Sequence, residues 1–131
     1  MNIVDEAKKA MKNAYAPYSK FKVGAAILLK DGKVVYGANI ENSSFGLCNC
    51  AERSALFSLY SNGYKKSDIV EMAIVADTKN AVSPCGACRQ VIAELVPKKT
   101  KITLSNLTGD TKVTNISELL PYSFDFGNDP K

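Results

Sequence analysis

The sequence predicts a mixed α/β fold, with helices packed on the faces of a mixed sheet. Three observations carry that expectation. Apolar residues alternate from Phe21 to Leu29, and the turn signal Asp31-Gly32 follows closely. The run "IVEMAIVAD", residues 69–77, is apolar almost throughout, as a strand buried on both faces is. From residue 51 onward, helical and strand-like segments take turns along the chain.

Each element follows from its own residues. Residues 4–14 place Val4, Ala7, Met11 and Ala14 on one helical stripe, and Pro17 in "YAPYSKF" ends that helix. Phe21, Val23, Ala25, Ile27 and Leu29 form one apolar strand face. Asp31-Gly32 is a two-residue hairpin signal, so "VVYGANI" returns antiparallel. Ala51 to Leu59 is rich in helix formers, with Gly63 as its stop. "IVEMAIVAD" is the central strand. "VSPCGACRQVIAELVP" gives a loop, then a helix that begins after Pro84 and ends before Pro97. "KITLSN" is another strand, and "NISELLP" a short helix capped by Asn115 or Ser117.

At 131 residues the chain fits a single domain over residues 1–131, able to close a core without staples. A charged fraction of 23% beside a hydrophobic fraction of 46% excludes a disordered chain. The net charge of +4 is spread over "KKAMK", "GYKKSD" and "PKKTK", without interleaved aromatics, so no nucleic-acid surface is expected. The N-terminus lacks the apolar core of a signal peptide, and no apolar run nears the roughly 20 residues of a membrane helix. A cytoplasmic protein with reduced thiols is expected. Its four cysteines are then metal ligands or catalytic groups in preference to disulfides.

Two segments carry the sulfur, Cys48-x-Cys50 and Pro84-Cys85-Gly86-Ala87-Cys88. Cys85 and Cys88, three apart at a helix start, can point to one side and clamp a zinc ion. A third ligand must come from elsewhere, and Cys50 at the other helix start is well placed. Glu52 lies two positions further on, in the first helical turn, within reach of water at such a metal. Three ligands, an open position and a nearby carboxylate make a catalytic arrangement. The alternative is a closed structural site of Cys48, Cys50, Cys85 and Cys88, which the C-x-C spacing fits poorly. Glu52 alone could also be a helix-dipole acid. The chain contains no histidine, so proton transfer must use another group.

"CAE" followed by "PCGAC" resembles the signature of zinc-dependent nucleoside deaminases. "AYAPYSKFKVGAA", "GANIEN", "CNCAERSALF" and "SPCGACRQVIAEL" resemble the small cytidine deaminases in order and spacing, over nearly the whole chain. The resemblance implies a three-layer α/β/α fold around a mixed five-stranded sheet. It implies one zinc per chain on Cys50, Cys85 and Cys88, with Cys48 a bystander. The implied reaction is hydrolytic deamination of cytidine and deoxycytidine, with Glu52 shuttling the proton as both base and acid.

The resemblance also marks substrate-binding positions. Asn39 and Glu41 match a ribose-binding pair, and Phe21 a residue beside the pyrimidine. Ala51 and Phe45 belong to the same set, Phe45 standing where many relatives carry tyrosine. Phe124, or its near neighbour Phe126, matches an aromatic that covers the base in a neighbouring subunit's site. The implied assembly is a homotetramer with shared sites.

Three thiolates leave a zinc core with one net negative charge, which weakens the metal as a Lewis acid. Arg53, three residues past Cys50, can fold back and donate hydrogen bonds to a ligand sulfur. The resemblance implies that role too, and the helix N-termini add partial positive charge.

Overall fold

The computed structural model describes residues 2–125. Among these, five strands form one sheet in the order β2-β1-β3-β4-β5. They are β1 Val23–Leu29, β2 Val34–Ala38, β3 Ile69–Ala76, β4 Lys101–Asn106 and β5 Thr111–Thr114. The helices are α1 Ile3–Met11, α2 Ala51–Ser61, α3 Gly86–Leu95 and α4 Ile116–Leu119. β3 and β4 run parallel, joined through α3, and the other neighbouring pairs are antiparallel. The sheet is therefore mixed, as expected.

Helices cover both faces. α1 buries Ile3 and Ala7 against Ala26, Ala73 and Val75. On the other face, Leu56 and Leu59 of α2 and Ile92 of α3 meet Ala25, Ile27, Met72 and Ile74. β1 and β3 are buried on both faces because each lies between two helical layers. The apolar alternation from Phe21 described only one side of β1. On its other side Gly24 and Ala26 are small because α1 sits against them: a Cβ at Gly24 would lie 2.1 Å from the Ala7 carbonyl oxygen.

Several boundaries differ from the sequence expectation. α1 ends at Met11, so Ala14 lies beyond it, and the inner stripe is Ile3, Ala7 and Ala10. The Tyr15 amide bonds to the Asn39 carbonyl at 2.9 Å, and that tertiary bond draws the chain away from the helix. Phe21 falls outside β1, which starts at Val23. The hairpin turn is longer than two residues: Leu29 N–H donates to the Lys33 carbonyl at 2.9 Å, and Gly32, at φ +88, holds the left-handed position. Asn115 is the cap of α4, its Oδ1 accepting from the Glu118 amide at 3.0 Å. β5, with "TKVT", carries no apolar period and gave no strand signal of its own.

The ends of β2, β3 and β4 at Ala38, Ala76 and Asn106 gather at one end of the sheet with the start of β1. Connections from Ala38, by way of a 3-10 turn at Phe45–Leu47, and from Ala76 lead to the N-termini of α2 and α3. Sheets of this kind bind ligands beyond the carboxyl ends of their strands.

Candidate active site and metal centre

Cys50 and Cys85 are the N-cap residues of α2 and α3, and Cys88 is in the first turn of α3. Packing of α2 on α3 brings the three Sγ atoms within 4.8 Å of one another. Tetrahedral zinc with bonds of about 2.3 Å needs sulfurs about 3.8 Å apart, so the cluster fits the ion. The Cys85 sulfur also accepts the Cys88 amide at 3.4 Å, which orients it. Three sulfurs at helix starts make a soft donor set backed by positive dipole ends.

Crowding moves the acidities of two of these thiols in opposite directions. A hydrogen bond from Cys88, reinforced by Arg53, pulls the Cys50 thiol down to about 5 against its desolvation. The same bond, together with burial, pushes Cys88 up. Arg53 Nη2 donates to the Cys50 sulfur at 3.2 Å. Its Nε is buried without a hydrogen-bond acceptor among the described residues. The site therefore holds spare cationic N–H capacity beside its thiolates, as a charge-rich sulfur core requires.

Glu52 is only 4% exposed, in the same turn as Cys50. Burial raises its carboxyl above the usual carboxylate range, and the Cys50 thiolate adds to the rise. Ala51, wholly buried, opens α2 beside it. Cys48 stands apart from the cluster. Its sulfur accepts the Asn42 amide at 3.3 Å and donates to the Asn42 carbonyl at 3.5 Å, closing the 42–48 loop.

The expected sugar-binding residues form a second, adjoining group. Asn39 bridges the chain that carries Phe21, accepting from Val23 N–H and donating to the Phe21 carbonyl, both at 2.8 Å. Glu41 accepts the Tyr18 and Ser19 amides at 3.0 and 3.1 Å and also the Ser19 hydroxyl. A cavity of about 320 Å³ is lined by Tyr18, Ser19, Glu41, Asn42, Phe45 and Cys48. Phe45 is 79% exposed on a short 3-10 turn. Phe124 is also largely exposed and is absent from that lining; its carbonyl accepts Gln90 Nε2 at 3.2 Å. Phe126 lies outside the described residues.

Two groups escaped the sequence analysis. Ser19 and Tyr18 sit in an aperiodic loop, where no spacing rule singles them out. Arg89 donates to the Pro84 carbonyl, the Leu119 carbonyl and the Ser83 hydroxyl at 2.9, 2.7 and 2.6 Å. It ties the loop before Cys85 to α4, and its signal, an arginine directly after "PCGAC", was available.

Residues 1–104 match the model of the cytidine and deoxycytidylate deaminase zinc-binding region. A cytidine deaminase of Halalkalibacterium halodurans is 59% identical over 122 residues, covering 93% of this chain and 91% of that protein. The 1.6 Å crystal structure of cytidine deaminase from Burkholderia pseudomallei aligns with a TM-score of 0.91 at 50% identity, over 93% of this chain and 96% of that one. A blasticidin-S deaminase of Bacillus cereus is more distant, 31% identical over 95% of this chain and 91% of its own. Three convergent sulfurs at two helix starts, with an acid and an arginine in the first turn of α2, thus sit in a chain similar throughout to these enzymes. The chain belongs to the zinc-binding cytidine and deoxycytidylate deaminase family.

Proposed function

We propose that this chain, acting as one domain, catalyses hydrolytic deamination of free cytidine and deoxycytidine to the uridine nucleosides and ammonia. The observation that carries the proposal is the buried Glu52 carboxylate beside the cluster of Cys50, Cys85 and Cys88. Those three residues would hold the zinc, which when bound supplies Lewis acidity and activates water. Glu52 takes one proton from the attacking water and delivers it to ring N3, then takes the second from the new C4 hydroxyl and hands it to the departing amine, which leaves as ammonia while the C4 carbonyl forms. One carboxylate thus serves both directions, and histidine is not needed. Arg53 offsets the thiolate charge through its bond to Cys50. Glu41 and Asn39 hold the sugar, with Phe21, Ala51 and Phe45 around the nucleoside.

The active unit in this proposal is a homotetramer, in which Phe124 closes a neighbour's site. Its support is the exposed apolar surface: Phe45 and Leu47 are 79% and 70% exposed on one short turn, and Phe124 is 73% exposed. A cytoplasmic location fits the reading of three cysteines as metal ligands in preference to disulfides; among the described residues no helix is long and apolar enough to cross a membrane.

The test is to incubate the purified protein with cytidine or deoxycytidine, following ultraviolet absorbance and ammonia, with zinc counted per chain and mass measured by light scattering. Turnover of both by a zinc-loaded tetramer is expected. No turnover at full zinc occupancy would move the assignment to another aminated heterocycle. The similarity to a blasticidin-S deaminase makes blasticidin S the substrate to assay in parallel.

A further inference from the structure

We propose that Ser19 is the positioning residue for the sugar end of the substrate. It holds Glu41 in one orientation and ties it to the segment that bears Phe21. The proposal rests on the reading that Glu41 accepts a sugar hydroxyl.

The geometry is specific to this serine. Its hydroxyl donates to one Glu41 carboxylate oxygen, while its own amide and that of Tyr18 donate to the other, at 3.1 and 3.0 Å. The same hydroxyl accepts the Phe21 amide at 3.0 Å. One Oγ therefore uses both donor and acceptor capacity to join the two expected substrate contacts. A carboxylate offers about four lone-pair sites. Three are filled by residues 18 and 19, leaving capacity for one more donor. Glu41 lines the cavity beside Asn42 and Phe45, so a single ring hydroxyl of a nucleoside is the donor that completes it.

The backbone points the same way. Lys20 lies at φ +62, a conformation that costs energy for a residue with a side chain. The strained turn persists between Ser19 and Phe21, where the hydroxyl bonds on either side compensate for it. Glu41 also keeps its carboxyl below the usual carboxylate range, first through the Ser19 hydroxyl, so it stays an acceptor. Holding an acceptor in place before substrate arrives lowers the ordering cost of binding, without touching the reacting atoms.

The experiment compares Ser19→Ala, Ser19→Thr and Glu41→Gln on cytidine and on 2′,3′-dideoxycytidine, which lacks both ring hydroxyls. Ser19→Ala should raise KM for cytidine about tenfold with kcat within about twofold, the pattern of lost uniform binding. On the dideoxy substrate the same variant should change KM by less than about twofold, and Ser19→Thr should restore most of the cytidine affinity. A KM increase equal on both substrates, or a fall in kcat with unchanged KM, would assign Ser19 a purely structural role and overturn the proposal. An unchanged KM in Ser19→Ala, with KM raised in Glu41→Gln, would overturn it while leaving Glu41 as the sugar acceptor. An unchanged KM in Glu41→Gln would instead remove the reading beneath it.

Discussion

Glu52 and Arg53 follow Cys50 by two and three residues, yet the fold gives them different work. Glu52 is buried, and Arg53 reaches back to the Cys50 sulfur. Replacing Glu52 with alanine should leave zinc per chain unchanged and lower kcat by about 10²–10⁴-fold, the usual worth of a general acid-base. Residual activity within tenfold of wild type would refute its role. In Arg53→Ala turnover should fall more than thermal stability; an unchanged kcat and pH profile would rule out charge compensation. Cys48 and Cys50 separate in the same manner. Cys50 faces two other sulfurs, whereas Cys48 is occupied with both backbone polar groups of Asn42. Metal analysis should find Cys48→Ala fully loaded and Cys50→Ala depleted, and the reverse pattern would transfer the ligand role to Cys48. The choice between them was open in the residues alone, because both precede the same helix.

At the scale of elements, two glycines set how closely helices approach the sheet. Neither Gly24 nor Gly37 has a positive φ, so close approach and not backbone freedom demands glycine there. A Cβ at Gly24 would lie 2.1 Å from the Ala7 carbonyl oxygen in α1, and one at Gly37 would lie 2.3 Å from the Ala51 carbonyl oxygen in α2. Each alanine substitution should destabilise by about 1–3 kcal/mol, as overpacking does. Their kinetic effects should differ. α2 carries Cys50, Ala51, Glu52 and Arg53 at its start, so Gly37→Ala should also lower kcat, while Gly24→Ala displaces only α1 and should leave kcat near normal. Equal kinetics for the two, measured well below either melting midpoint, would contradict that. Helices α2 and α3 and strand β3 were legible because their signals are local: helix formers ended by a glycine, flanking prolines and a continuous apolar run. β5 was not, since an edge strand with exposed side chains needs no apolar pattern, only a partner in β4.

Stability of the whole molecule should respond to pH through the contact between α1 and the sheet edge. Glu6 accepts the Tyr36 hydroxyl at 2.5 Å and pairs with Lys9 at 3.1 Å. The Tyr36 bond, then Lys9, holds its carboxyl below the usual carboxylate range. A carboxyl lowered by folding stabilises the native state above its unfolded pKa, about 4.3. That stabilisation is lost as pH falls through the folded value. The melting midpoint of the wild type should therefore drop more steeply below about pH 4.3 than that of Glu6→Gln; equal slopes would show the contact to be inert. At this same scale the division between sequence and structure is clearest. The sequence by itself determined the chemistry: three thiols at helix starts, with an acid and an arginine within one turn of Cys50, because spacings of two and three residues are settled by helix geometry. It also determined the mixed α/β class, since strand and helix periods are local. Only the tertiary structure brings the Cys50 sulfur to Cys85 and Cys88, leaves Cys48 on Asn42, and joins Ser19 to Glu41. Those partners come from distant segments. They are brought together by burial of α2 and α3 on the sheet and by the bridge of Ile40 to Tyr15 and Asn49, contacts that no local period encodes.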